Sequence, residues 1–67
     1  MLALRRVRRI LERVAKEAGA SDPGRLAGQI HMLMEGATVL AQVAGDNRAA
    51  ADGRRAASAL IDVALAD

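Results

Sequence analysis

The amino-acid sequence predicts an all-α protein of three helices, and three observations support this prediction. Apolar side chains recur at steps of three and four residues along most of the 67-residue chain, which is the period of an α-helix and not of a strand. The pairs Asp22-Pro23 and Gly45-Asp46 interrupt this pattern, and both are typical of helix ends. The predicted helices span about residues 2–18, 22–44 and 47–66.

The first predicted helix has one apolar stripe and carries most of the basic charge. The stripe residues, spaced three and four apart, are Leu4, Val7, Leu11, Val14 and Ala18. Residues 1–18 hold five arginines and one lysine against two glutamates, whereas residues 19–67 hold four arginines against six acids. The arginines are distributed around the helix, which predicts a solvated surface rather than a strip that docks on nucleic acid. Gly19 is a natural C-terminal stop.

The second predicted helix is apolar on two sides. Asp22 is expected to cap its first turn, with Pro23 at the first helical position. Its main stripe comprises Leu26, Ile30, Leu33, Ala37, Leu40 and Ala44, and a second stripe comprises Met32, Gly36, Val39 and Val43. An ordinary surface helix has a single apolar face, so the second stripe predicts a partner helix. A glycine inside a helix costs ~1 kcal/mol relative to alanine, so we expect Gly36 to lie at a close helix–helix contact.

The third predicted helix combines a smooth first half with a bulkier second half. Asp46 is expected to cap it. Its apolar face comprises Ala49, Ala50, Gly53, Ala56, Ala57, Leu60, Ile61 and Ala64. The small residues permit a tight crossing, and the short connection at Gly45 predicts a helical hairpin with the second helix.

The composition indicates a thin core that depends on association with another chain. Of the 35 apolar residues, 16 are alanine and none is aromatic. The chain has no cysteine and one histidine, which leaves no disulfide and no cage of several histidines. A core of this size rarely supplies more than ~3–5 kcal/mol. We therefore expect an oligomer, in a reducing cytoplasm that suits a cysteine-free chain, and no membrane span, because no run of ~18 apolar residues occurs.

Few residues suggest chemistry. His31 and Glu35 stand four apart on the polar sector of the second helix, but two ligands seldom hold a metal tightly. A solvated pair is the favoured interpretation, although both side chains could face an effector in a longer parent protein. The hydroxyl residues Ser21, Thr38 and Ser58 lack a base and an orienting acid at a useful spacing, and no phosphate-binding loop is present. The sequence predicts no enzyme, no metal and no cofactor.

Several motifs occur together from about Ala15 onward: the Asp22-Pro23 start, the step from Leu26 to Ile30, the Glu35-Gly36-Ala37 helix centre and the Gly45-Asp46 break. In this order they resemble the C-terminal end of TetR-family transcriptional regulators. In that family the last two helices usually pair with their mates across a two-fold axis as a four-helix bundle. With the two-sided second helix, the resemblance implies a homodimer. Its expected interface residues are Met32, Gly36, Val39, Val43, Gly53, Ala56 and Leu60.

The resemblance also implies what these residues lack. They contain no helix-turn-helix head, so residues 1–67 are interpreted as one dimerisation and regulatory segment that does not bind DNA directly. A small-molecule effector would bind only in a longer parent protein. The alternative is a freestanding helical association module whose basic first helix binds nucleic acid. Binding of a duplex that weakens steeply with added salt would distinguish this alternative.

Overall fold

The structure, a computed structural model that describes residues 2–66, consists of three α-helices. They are α1 (Leu2–Glu17), α2 (Pro23–Val43) and α3 (Ala49–Leu65), and the described residues contain no strand. The all-α prediction is confirmed, and every helix end lies within two residues of its predicted position.

The turn between α1 and α2 depends on one glycine. Gly19 has φ of 89°, a left-handed conformation that a side chain would strain. Its N–H donates to the Lys16 carbonyl at 3.1 Å, and the Ala20 N–H donates to the Ala15 carbonyl at 3.0 Å. These two bonds form a Schellman motif. The motif ends α1 sharply and allows α2 to return along it.

Asp22 begins α2 as its N-cap residue. Its Oδ1 accepts a hydrogen bond from the Arg25 N–H at 3.2 Å, and Pro23 fills the first position of the helix. The Arg25 Nε also lies 3.8 Å from Asp22 Oδ2, but both side chains are exposed and such pairs contribute little. The cap is therefore the main stabilising role of Asp22.

We expect Asp22→Ala to lower the free energy of unfolding by ~1 kcal/mol, the usual cost of losing an N-cap side chain. Chemical denaturation followed by circular dichroism measures this change. The matched control is Asp62→Ala, which removes the same charge from an exposed position of α3 and should change stability by less than about 0.5 kcal/mol. Equal effects of both substitutions would show that charge, and not capping, is responsible.

The prediction that Asp46 caps α3 is wrong. The N-cap residue is Arg48, which makes no side-chain capping bond, and the helix begins at Ala49. Asp46 Oδ1 instead accepts from the Arg48 N–H at 2.9 Å. An aspartate that bonds the backbone two residues ahead forms an Asx turn. Because that turn occupies the residues after Gly45, α3 starts two residues later than predicted.

The helix α2 lies at the centre of the fold, and α1 and α3 each pack against it. Side chains of all three helices line one apolar pocket, which includes Leu11, Val14, Leu26, Ile30, Ile61 and Leu65. The Ser21 N–H also reaches the Ala64 carbonyl at 3.5 Å. The buried apolar residues are Ala15, Leu26, Ala27 and Ala49. Leu26 is thus the one large aliphatic side chain buried within the described part of the chain.

The apolar face of α1 differs from the predicted stripe. Ala15 is buried, whereas Val14 is 56% exposed and Ala18 is also exposed. The helix is turned about its axis so that Arg8 and Glu12 lie against α2. The Glu12 side chain lies over Gly24 of α2, and the Arg8 side chain lies over Gly28.

The molecule is a thin slab with much exposed surface. It measures 37 × 28 × 12 Å and has a radius of gyration of 12.5 Å, compared with roughly 11 Å for a compact domain of this length. Its accessible surface is 5266 Å², whereas a compact monomer of its mass exposes roughly 4,000 Å². No large side chain in the described part is fully buried. The single chain therefore buries little of its apolar surface.

Candidate functional site

One side of the slab is an exposed apolar surface, which we call the α2–α3 face. It comprises the exposed residues Met32, Gly36, Val39, Leu40 and Val43 of α2 and Val63 of α3, together with the half-buried Ala56 and Leu60 of α3. Its largest exposed fractions are 72% for Met32, 81% for Val43 and 76% for Val63. Contiguous apolar surface of this kind marks interaction sites in soluble proteins.

Helix geometry places these residues on one side. Along α2, the positions from Arg25 to Val43 form a stripe spaced alternately four and three residues apart: 25, 29, 32, 36, 39 and 43. This spacing is the heptad repeat of a helix that packs lengthwise on another helix. The stripe borders two grooves shared with α3, one beside Ala56 and one beside Leu60 and Val63. The face is therefore continuous across both helices.

The first helix leaves this face uncovered. It packs on α2 at the opposite side, where Leu11 and Val14 line the apolar pocket with Ile30 and Ile61. No residue of α1 lines either groove of the α2–α3 face. The described residues thus provide nothing that covers Met32, Val39 or Val43.

Six of the seven predicted interface residues lie on the α2–α3 face, and Gly53 lies at the bottom of its groove beside Ala56, where α3 crosses α2. A Cβ atom added to Gly53 would lie 3.3 Å from the Cβ of Ala37 and 3.8 Å from the Leu33 carbonyl oxygen. Gly53 therefore serves the crossing of α3 on α2 within the chain. A Cβ atom at Gly36 would meet nothing within 4 Å. The close contact expected at Gly36 does not exist within the chain, so a second chain would have to provide it.

The interpretation of His31 and Glu35 as a solvated pair is wrong for His31. Its ring is buried, with 7% of the residue exposed. The Arg8 Nε–H donates a hydrogen bond to His31 Nδ1 at 3.3 Å. His31 Nε2 lies 3.4 Å from Glu35 Oε1 but has no hydrogen-bond partner. Because Nδ1 accepts a bond, the ring is assigned the tautomer with its proton on Nε2.

The burial of His31 results from the close approach of α1 over two glycines. A Cβ atom at Gly24 would lie 3.8 Å from Glu12 Oε1, and one at Gly28 would lie 3.4 Å from Arg8 Nη1. Sequence reasoning missed this contact. The available signal was the spacing of positions 24, 28 and 31, which places both glycines on the same side of α2 as His31.

The arginines of α1 lie on several sides of the helix, because Arg8 contacts His31 of α2 and Arg6 is exposed beside a row of four basic residues that we call the basic strip. Arg5, Arg9, Arg13 and Lys16 are all exposed and lie at helical spacing. Within residues 2–66, the one arginine or lysine side chain with a carboxylate oxygen within 4.0 Å is that of Arg25, beside Asp22. No carboxylate therefore neutralises the strip at close range.

No protein-family model, curated protein or solved structure matches this chain. The described residues also contain no group of three or more histidine, cysteine, aspartate or glutamate side chains that could hold a metal ion. Within residues 2–66, no helix is both long enough and apolar enough to cross a membrane. The features of the described residues that could bind a partner are the α2–α3 face, the basic strip and the surroundings of His31.

Proposed function

We propose that this chain is the dimerisation segment of a TetR-like transcriptional regulator, and that two copies pair through the α2–α3 face. The observation that carries the proposal is this exposed apolar face, which runs across α2 and α3. The sequence resemblance also indicates that α2 and α3 are the helices that pair. Two helices from each of two chains would form a four-helix bundle, with Gly36 where the paired α2 helices approach closely.

The size of the exposed surface supports a second copy as the occupant. The chain exposes 5266 Å², an excess of roughly 1,200 Å² over a compact monomer of its mass. A specific interface buries about 800 Å² on each partner, so one interface would remove most of the excess. The face has a stripe that can pair with its own copy, and a two-fold axis is the commonest symmetry of soluble homo-oligomers.

The proposal assigns sensing and DNA recognition to other parts of a longer protein. The segment itself would act in the cytoplasm as a non-enzymatic, cofactor-free association unit. An effector would contact it only where further helices enclose a cavity. Glu35 is exposed and is available for such a contact. His31 is buried beneath α1, so an effector could approach it only from the side where Arg8 lies.

A fusion protein tests this function. The chain is joined to a monomeric helix-turn-helix domain that binds its operator only when dimerised. We expect the fusion to bind and repress, and the same fusion carrying Val39→Asp to fail. Repression that persists with Val39→Asp would contradict pairing through the α2–α3 face, and no repression by the parent fusion would contradict the dimerisation function.

A second candidate function is binding of nucleic acid by the basic strip of α1. It is favoured by the exposure of Arg5, Arg9, Arg13 and Lys16 without carboxylate partners. Four such cations facing phosphates would give a slope of about −3.6 in a plot of log affinity against log salt concentration. No aromatic side chain is available for base stacking, so the binding would be independent of sequence.

Gel retardation of a labelled duplex at several salt concentrations measures this binding. If the strip binds nucleic acid, Arg9→Gln and Arg13→Gln should each reduce the salt slope by about one. The matched control Arg54→Gln, on α3, should leave it unchanged. If the proposed dimerisation segment has no nucleic-acid function, the duplex is not retarded even at low salt.

A further inference from the structure

A groove on the α1 side of the molecule presents a fixed arginine to solvent. Its lining residues are Leu4, Arg5, Arg8, Arg9, Glu12 and His31, and we call it the Arg8 groove. Its volume is about 450 Å³, and it is a shallow groove that is open to solvent. It lies at the contact of α1 with α2 and shares no residue with the α2–α3 face.

Two contacts hold the Arg8 guanidinium in place. Its Nε–H donates to the buried His31 Nδ1 at 3.3 Å. Its plane lies over Gly28, because a Cβ atom there would be 3.4 Å from Nη1, 3.6 Å from Cζ and 3.9 Å from Nη2. A Cβ atom at position 28 would therefore be in van der Waals contact with the guanidinium. Arg8 is fixed by backbone and ring together, although it lies at the surface.

The other two guanidinium nitrogens of Arg8 remain available. Neither Nη1 nor Nη2 has a hydrogen-bond partner among the described residues, and no carboxylate lies within 4.0 Å of them. A guanidinium edge of this kind binds an oxyanion through two parallel N–H bonds. Because His31 and Gly28 already restrict the side chain, binding would cost less conformational entropy than binding by a free arginine.

We propose that the Arg8 groove binds a phosphate group, as the dianion of a phosphate monoester. Arg5 and Arg9 add two positive charges to that of Arg8, and Glu12 removes one, so the net charge of the lining matches a dianion when His31 is neutral. Glu12 lies over Gly24 at the opposite end from His31. The phosphate therefore binds at the end of the groove where Arg5 and Arg8 meet His31.

Titration of the full chain with inorganic phosphate at constant ionic strength tests the proposal, with the backbone amide signals of α1 and α2 followed by nuclear magnetic resonance, because these signals remain when Arg8 is replaced. We expect a saturable shift that chloride does not reproduce. Arg8→Lys keeps the charge but loses the two-nitrogen edge, so it should raise Kd about tenfold. The matched control Arg13→Lys, on the basic strip, should leave Kd unchanged. Equal effects of the two substitutions, or a shift that chloride reproduces, would overturn the proposal.

A second pair of variants keeps the test valid if Arg8→Lys impairs folding. Arg5→Gln removes one groove charge at an exposed position and should weaken phosphate binding, whereas Arg13→Gln should not. Glycerol phosphate, a short DNA duplex and phosphatidylglycerol vesicles then distinguish the possible sources of the phosphate. Binding of glycerol phosphate with the same dependence on Arg8 supports a small-molecule ligand. Arg5 and Arg9 belong to both the groove and the basic strip. Binding of the duplex or vesicles that Arg13→Gln weakens as much as Arg5→Gln, without binding of free phosphate, would therefore assign the effect to the whole strip and overturn the proposal.

The result is independent of the proposed dimerisation. Phosphate binding uses the α1 side of the molecule, and the mass of the assembly depends on the α2–α3 face. If the unmodified chain dimerises but does not bind phosphate, the proposed phosphate site alone is refuted. If the unmodified chain binds phosphate but does not dimerise, the proposed dimerisation function alone is refuted.

Discussion

Val39→Asp is expected to separate the dimer and to unfold most of the resulting monomer. Val39 lies within the α2 stripe of the α2–α3 face and is 53% exposed in the single chain. In a paired bundle its carboxylate would be buried without a partner, which costs about 3–5 kcal/mol. The separated chain retains Leu26 as its one large buried aliphatic side chain among the described residues, so it has little remaining stability. Light scattering and circular dichroism measure the two effects.

Thr38→Asp is the matched control for this experiment. Thr38 is adjacent in sequence, similar in shape to valine and exposed, but it lies outside the stripe and donates its hydroxyl to the Met34 carbonyl at 2.9 Å. We expect Thr38→Asp to leave the mass unchanged. If α2 were solvated on both sides, both substitutions would change stability by less than about 0.5 kcal/mol. Retention of mass and helicity by Val39→Asp would therefore contradict the interface.

Gly36→Leu is expected to lower the melting temperature and weaken the dimer. In the single chain nothing lies within 4 Å of a Cβ atom at this position, so a monomer would gain up to ~1 kcal/mol from replacing a helical glycine. In the proposed bundle the added side chain would overpack the contact between paired helices, at a cost of ~1–3 kcal/mol. The sign of the change therefore indicates whether a second chain covers Gly36.

Ala41→Leu provides the comparison for Gly36→Leu. Ala41 is an exposed residue of α2 and lies outside the stripe, so the same leucine should be tolerated there. Thermal unfolding at two protein concentrations measures both variants, because the melting temperature of a dimer rises with concentration. A higher melting temperature for Gly36→Leu, with no concentration dependence, would contradict close pairing at this position.

The helices were predictable from the sequence because their ends are encoded locally. Asp22-Pro23 and Gly19 each determine a helix end through bonds to neighbouring backbone groups. The second stripe of α2 was also predictable, because helical periodicity alone places Met32 and Val39 on one face. The start of α3 was less predictable, since Asp46 could form either a cap or an Asx turn with the same side-chain atom.

The surroundings of His31 could not be predicted from the pattern of a single helix. On α2 alone, His31 belongs to a polar sector, and a polar sector predicts solvent. Its burial depends on α1 approaching over Gly24 and Gly28, and on Arg8 satisfying the buried Nδ1. Gly53 was expected both in a tight crossing by the small residues of α3 and at the chain–chain interface, and its contact with Ala37 belongs to the crossing within the chain. Gly36 and Gly53 were both expected at a chain–chain contact, but only Gly53 lies where α2 and α3 cross within the chain.

The mass of the unmodified chain in solution tests the central claim most directly. Light scattering at micromolar concentration, coupled to size-exclusion chromatography, gives this mass without a label or a substitution. Pairing through the α2–α3 face predicts a species of twice the 7.0 kDa of one chain, which dissociates only with loss of helicity. A stable, fully helical species of 7.0 kDa would contradict it.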